Sequence, residues 1–523
     1  MNLRINICAS TGALPASIVH THNVFAHSCN ADTIHPLSHF SGTVQSNFTC
    51  AHCRNAHPMH PQHQLARRKG VVTIMVIWAI AIASIIVAAT QILSFREATI
   101  GRECLSRVQA RWAARDGVET MIAIMEWHNA NPDPDDALAL TRDLEGNAYG
   151  EVATGTWDIR HFIDGQEWAG PMDENSKLNI NVATRMQLLE LPNITQDVVD
   201  SISDWRDSDD EPQQLGAESD YYRNRGLGYE PRNGNFRSIA ELELVAGAWP
   251  HYVRSEDWNL NGRLDPNEDD GKRTMPDDNA NGKLDGGWSQ YLTASTRPIT
   301  KSASGQPRLD LRKATSEEIM TRTGVDSTQA AAIVTYAKVG NARMANILSA
   351  PLSQLAGSRN PGATGGAAAN RTGRSSAGQA RGAATPTAST VKNLDNKQLG
   401  LVLNECALEN TSTSLANAGK VNLNTASRAL LRDILQLDTR FADSILSRRI
   451  SKQSGLLSLA DIVDLPGATQ EQLQILGQVA DVTSSVYMIS SRGRATTSGA
   501  EAEIVAVVDR SESPVRILEY REP

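Results

Sequence analysis

The chain has 523 residues, 40% hydrophobic and 21% charged, enough for two or three domains with buried cores. Its net charge of −9 argues against a general nucleic-acid binder, which needs a basic field. It carries no Walker loop, Gly-x-Ser-x-Gly, His-Glu-x-x-His or Cys/His nucleophile pair, so nothing in it points to an enzyme.

Residues 1–69 hold nine of the twelve histidines. Cys50, His52 and Cys53 with His57, His60 and His63 have zinc-like spacing, but the segment lacks apolar periodicity and a second Cys pair. Met59 opens a compact basic leader, "MHPQHQLARRKG". The expectation is a leader over 1–70, with translation starting at Met59 and residues 1–58 a spurious or disordered extension.

Val71 to Phe95 contains no Asp, Glu, Lys or Arg. At about 1.5 Å rise per residue it exceeds the roughly 30 Å hydrocarbon core of a bilayer. Arg67, Arg68 and Lys69 predict a cytoplasmic N-side, with the rest of the chain across the membrane. Ile100, Cys104, Val108, Trp112, Val118, Ile122 and Met125 continue at three-to-four spacing, so the helix is expected to run on as an amphipathic stalk over 71–129. Asn129 and "NPDPDD" end it.

Basic residues, a glycine and an apolar helix that becomes a stalk resemble the signal of the type IV pilins and pseudopilins. The resemblance implies cleavage between Gly70 and Val71 by a prepilin peptidase and methylation of the new N-terminus. Most of that family has Glu at the fifth mature position, where it meets the N-terminal amine of a neighbour. Here that position is Met75. The departure resembles one subclass, the K-type minor pseudopilins of type II secretion.

Beyond the stalk, residues 150–176 alternate Val152, Thr154, Trp157, Ile159 and Phe162 and read as strands. Residues 484–523 predict three more, over 486–491, 502–509 and 515–520, with turns at Gly499 and "SESP". The fold class expected is α+β. It combines a long N-terminal transmembrane helix, a small antiparallel sheet drawn from both chain ends, and a large inserted helical domain. The helix and sheet resemble the pseudopilin fold.

The insertion contains a repeat. "KLNINVATRMQLLELP" begins at Lys177, "RLDLRKATSEEIMTRT" at Arg308 and "KVNLNTASRALLRDIL" at Lys420. These units resemble helix-hairpin-helix and SAM-like modules, over 177–356 and 394–483. Their turns lack the paired glycines that grip phosphate, so no nucleic acid is expected, and Asn179 and Asn181 read as structural. Residues 357–393 have almost no apolar side chain larger than Ala and read as a flexible linker.

Acid is concentrated between Asp197 and Asp285, twenty-one Asp/Glu against ten Lys/Arg. "DWNLNGRLDPNE" sets Asp257, Asn259, Asn261, Asp265 and Glu268 at positions 1, 3, 5, 9 and 12 of an EF-hand loop, with Gly262 at position 6. Arg263 supplies its carbonyl from position 7. "DDNANGKLDGGW" repeats this with Asp277, Asn279, Asn281, Lys283 and Asp285, but has Trp288 at position 12. Two structural Ca²⁺ ions are expected, and Leu264 and Leu284 at position 8 suggest that the loops pair through a short strand. Asp204, Asp207, Asp209 and Asp210 read equally as a cation position or a solvated acidic turn. Pairing of Cys104 with Cys406 is left open.

The run Asp204-Trp205-Arg206-Asp207, Gly216-Ala217-Glu218, Tyr221, Asn235, Glu241-Leu242 and Gly247 resembles the K-type pattern. That resemblance implies a protein of the bacterial inner membrane, single-pass, its bulk periplasmic. It would cap the pseudopilus tip with smaller I and J pseudopilins and support protein export across the outer membrane. The alternatives are a membrane-anchored helix-hairpin-helix DNA-binding protein of competence type and a plain calcium-binding surface protein.

Overall fold

The computed structural model of the chain describes residues 69–356, 391–408 and 418–522. The leader up to residue 68, the histidine-rich segment, the Met59 start and most of the 357–393 linker lie outside them. The chain divides into two units, Met1–Ile82 and Ala83–Pro523. The described part of the first is the opening of helix α1, Lys69–Ala130, where the side chains of Val71 to Ile82 are exposed. Among the described residues α1 is the one helix long and apolar enough to cross a membrane.

In the second unit α1 packs on a seven-stranded sheet. A short helix α2, Ala139–Gly146, precedes four strands: β1 Tyr149–Val152, β2 Gly155–Ile163, β3 Gln166–Ala169 and β4 Met172–Asp173. Three come from the far end: β5 Val486–Ala495, β6 Glu501–Asp509 and β7 Arg516–Arg521. The order is β1-β2-β5-β6-β7, with β3 beside β2 and β4 beside β5, and every pairing is antiparallel. Gly493 of β5 lies opposite Trp157 of β2, so the two chain ends are zipped at the sheet centre.

The buried face of α1 follows the expected stripe at Val118, Ile122 and Met125 but departs from it earlier in the helix. Ala110, Ala113, Ala114, Val118, Met121 and Met125 pack on the sheet, while Ile100, Cys104, Val108 and Trp112 are exposed. The cause is close approach. A Cβ on Gly493 would lie 2.0 Å from the carbonyl oxygen of Ala110, and one on Gly117 would lie 2.4 Å from Ser491 Oγ. Only small residues fit at those two crossings, so size selects Ala110, Ala114 and Gly117 there, while Val118, Met121 and Met125 bury apolar bulk further along. Trp157 fills the space beside Gly117 and Gly150 and donates its indole N–H to Asp116 at 2.8 Å. Ile159, Ile489, Ile504 and Val508 complete this layer, each burial contributing roughly 1.5–3 kcal/mol. Cys104 and Cys406 are both free thiols.

His161 on β2 donates from Nδ1 to the carbonyl of Gly170 at 2.9 Å. Burial holds its pKa down at about 4, and the charge of Lys177 adds to this. The fold therefore favours the neutral ring, and its contribution is complete above the ordinary value of 6.5 and lost as pH falls toward 4. His161→Gln is expected to flatten the loss of Tm across that window. An unchanged acid limb would exclude His161 as its source.

Between β4 and β5 lies the insertion, residues 174–485. Each repeat opens with a two-residue strand that pairs in parallel with a later one: Leu178–Asn179 with Leu292–Thr293, Leu309–Asp310 with Cys406–Ala407, and Val421–Asn422 with Ala480–Asp481. The Asn or Asp of each strand turns the chain, its Oδ1 accepting the N–H of Asn181, Arg312 or Asn424. This is the structural role read for Asn179. Thr184 and Thr315 then cap the first helices with full capping boxes.

Arg206 reaches back to the carbonyls of Ile180 and Ala183, and Arg449 in the third repeat to those of Leu423 and Ala426. Burial lowers the pKa of both. These cations are spent on the chain's own backbone, which leaves them unavailable to phosphates.

The insertion leaves and re-enters the sheet at one neck. Asn175 Oδ1 accepts the N–H groups of Ser485 at 2.9 Å and Val486 at 3.2 Å. The buried Asp173 carboxylate accepts from Asn422, Thr425 and Ser484.

Candidate metal centre

The first EF-hand-like loop is a buried structure. Asp257, Asn261, Asp265 and Glu268 are all buried, and Asn259 is half-buried. Asp257 accepts the N–H groups of Asn261 and Gly262 at 2.9 and 3.1 Å. Glu268 accepts those of Trp258 and Asp265, both at 3.0 Å. Gly262 has φ +67°, the left-handed turn that position 6 requires. Burial raises Glu268 to about 8, with the charges of Asp257 and Asp265 adding to it. Burial also raises Asp257 to about 6.

The amides decide how a cation fits. Asn259 and Asn261 turn their NH₂ groups onto Asp265 Oδ2, at 2.8 and 3.0 Å. Their oxygens accept the N–H groups of Asn261 and Arg263 at 3.0 and 2.7 Å. Two amide donors thus stand where a hard cation would, and Ca²⁺ would draw the oxygens inward instead. The loop also grips the sheet. Arg492 pairs with Asp265, Arg263 with Asp158 at 2.8 Å, and Arg521 donates to the carbonyls of Asn259 and Leu260.

The second loop is different. Asp277, Asn279, Asn281, Lys283 and Asp285 are exposed. Trp288, where the bidentate carboxylate would stand, is a core residue that donates its indole N–H to Pro192. No strand joins Leu264 to Leu284 among the described residues, which corrects the expected pairing. The physical tie is Glu256, outside both patterns. Its carboxylate accepts the N–H groups of Asn279 and Asp285, and its own N–H donates to the Asp285 carbonyl at 3.0 Å. One side chain does the work expected of a ladder.

The acidic turn after the first repeat, left ambiguous by sequence, is the better-formed centre. Carboxylate oxygens of Asp207, Asp209 and Glu218 all lie within 4.8 Å of one another. Asp204 Oδ2, Asp207 Oδ1, both oxygens of Glu218 and Asn233 Oδ1 are buried without a hydrogen-bond partner. All five are acceptors, so a donor, a proton or a cation is what would satisfy them. Burial raises Glu218 to about 7, and its aspartate neighbours add to that. Gly216 allows the packing, because a Cβ there would lie 1.9 Å from Asp204 Oδ2. An all-oxygen set with several carboxylates suits a hard divalent cation such as Ca²⁺. The four aspartates Asp204, Asp207, Asp209 and Asp210 were the visible signal; the return of the chain that brings Glu218 to them was not.

This turn sits within residues 170–255, which match the family model described as Type II secretion system (T2SS), protein K. A curated relative, the type II secretion system protein K of Klebsiella pneumoniae, is 26% identical over 192 residues, which is 35% of this chain. The match spans 58% of that relative's length. A solved chain of the GspK-GspI-GspJ complex from the enterotoxigenic Escherichia coli type 2 secretion system aligns over 81% of this chain and 99% of its own. Its identity is 11% and its TM-score 0.38, a distance at which it supports nothing further. The matched region holds the acidic centre and the first repeat, while the two EF-hand-like loops lie just beyond it.

Proposed function

We propose that the chain is a minor pseudopilin that caps the type II secretion pseudopilus and assists its assembly, with smaller I- and J-type pseudopilins as partners. The observation that carries this reading is a protein K region inserted between strands of a helix-and-sheet frame. The apolar half of α1 serves first as a membrane anchor and then as a packing helix among other stalks, with the bulk of the chain periplasmic. The insertion blocks addition of a further subunit above it. Met75 fits that position, since a tip subunit has no neighbour above whose amine it must meet. The work is assembly and not catalysis. Calcium is a structural ion in this proposal, held by the first EF-hand-like loop and by the acidic turn around Glu218, with the exposed second loop the weaker candidate.

The test is the mass of the mature N-terminal peptide together with co-purification. A peptide beginning at methylated Val71, and retention of I- and J-type pseudopilins by the tagged chain, are the expected results. A chain uncut at Gly70 would sink the pseudopilin reading.

A further inference from the structure

One row of charged residues crosses the sheet against the first EF-hand-like loop. Arg492 of β5 lies directly opposite Asp158 of β2 on one side and Glu503 of β6 on the other. Gly493, the next residue, packs on α1, so Arg492 and its row face the opposite way. The loop sits on that second face, where a Cβ on Gly262 would lie 3.0 Å from Met488 Cε.

Three alternate residues of the loop dock on the three members of that row. Asn261, at loop position 5, donates its amide N–H to both oxygens of Glu503 at 3.1 Å. Arg263, at position 7, pairs with Asp158 at 2.8 Å. Asp265, at position 9, accepts from Arg492. A cation would treat the three differently. Positions 5 and 9 offer it side-chain oxygens, whereas position 7 offers its backbone carbonyl. The Arg263 side chain can therefore stay on Asp158 when a cation binds. Asn261 must instead withdraw its N–H groups from Glu503 and Asp265 to turn its oxygen inward. Asp265 must yield an oxygen, one of which Arg492 holds and the other the two asparagines. The groups released, Arg492 and Glu503, are cross-strand neighbours already 3.8 Å apart. Ser490 Oγ donates to Glu503 at 2.6 Å and keeps it in place.

We propose, on the reading of this loop as a calcium site, that Arg492 and Glu503 compete with the cation for its ligands. With the loop docked on the sheet, Arg492 holds Asp265 and Glu503 holds Asn261. With the cation bound, Arg492 and Glu503 pair with each other, as opposite charges across neighbouring strands do. Arg492 thereby sets the affinity of a loop to whose sequence pattern it does not belong. The exchange of partners carries ion binding to the centre of the sheet.

The test is calorimetric titration of the full chain in detergent with Ca²⁺, in a Glu218→Gln background that removes the acidic turn's contribution. Arg492→Gln is expected to tighten binding roughly tenfold, the worth of one charge-assisted hydrogen bond that the ion no longer has to break. It should also lower the calcium-free Tm, because Asp265 loses a partner. Glu503→Gln is expected to weaken binding, since Arg492 then has no carboxylate to move to. In the double variant that weakening should vanish; strictly additive effects would show simple charge neutralisation and overturn the exchange. A loop that binds calcium no more tightly in Arg492→Gln overturns the competition and leaves the calcium reading intact. Should Arg492→Gln not fold, an unchanged affinity in Glu503→Gln overturns it equally. Binding that emerges only in Arg492→Gln supports the competition, and silence in both parent and variant overturns it together with the calcium reading.

Discussion

Gly493→Ala is expected to destabilise the protein by about 3 kcal/mol or more and to loosen α1 from the sheet. The added methyl would meet backbone on the facing helix, 2.0 Å from the Ala110 oxygen and 2.4 Å from the Ala114 nitrogen. Backbone cannot rotate away as a long side chain can, so the helix must shift as a body. Such a shift would also uncover Trp157 and Ile489, which the same interface buries. Gly146→Ala is the matched control: a Cβ there has no atom within 4 Å, and alanine suits the helix end better. Denaturant unfolding of both variants decides the matter. A Gly493→Ala protein within 1 kcal/mol of the parent, by the order-of-magnitude cost of overpacking, would refute the close-approach account.

Calcium is expected to raise stability in two separable parts. At an ion concentration ten to a hundred times the dissociation constant, each occupied site contributes about 1.4–2.7 kcal/mol. Glu268→Gln should remove the part due to the first EF-hand-like loop, and Glu218→Gln the part due to the acidic turn. In the absence of calcium Glu218→Gln should be the more favourable of the two. Glu268 accepts two backbone N–H groups, one of which its amide would lose, and this offsets the relief of a carboxyl that burial raises to about 8. Glu218 has no partner on either oxygen, so the neutral amide relieves a buried charge and the apo protein is as stable or more so. Melting curves with and without millimolar Ca²⁺ read all four quantities. A parent protein indifferent to calcium would remove both sites together.

Much of the frame could be read from residues alone because its signals are local. Alternation marked the strands of β5 to β7, and the unbroken, proline-free run marked α1. The repeated Asn or Asp after a basic–apolar pair marked the start of each module, and the turn at Asn179 forms as read. Failures came where the deciding partner lay far along the chain. Trp112 has the hydropathy of a core residue, yet Gly493, hundreds of positions away, selects alanines for the contact. Loop spacing gave the turn at Gly262 but not Glu256, which belongs to no motif and ties the two loops together. The acidic turn read equally as a cation position and as solvated surface, and the chain's return, which brings Glu218 to Asp207, is what separates the two. Charge density along a sequence cannot distinguish acids that point outward from acids folded onto each other.

The neck at Asn175 and Ser485 carries a consequence for how the molecule comes together in time. Strands β2 and β5 are separated by the whole insertion, and closing so long a loop of free chain is slow and entropically costly. Each repeat, by contrast, closes on its own parallel ladder, and the last contacts it makes bring residues 175 and 485 within hydrogen-bond reach. Once the insertion has folded, the chain behaves kinetically as though β4 and β5 were joined by a short turn. The expected order of events is then insertion first and sheet second, which pulsed hydrogen exchange during refolding would read. The stalk's docking face, which needs Gly493 and Trp157 side by side, is completed last. A chain built this way cannot complete the face on which α1 packs before its insertion has folded, which makes the insertion a checkpoint on the closing of the sheet.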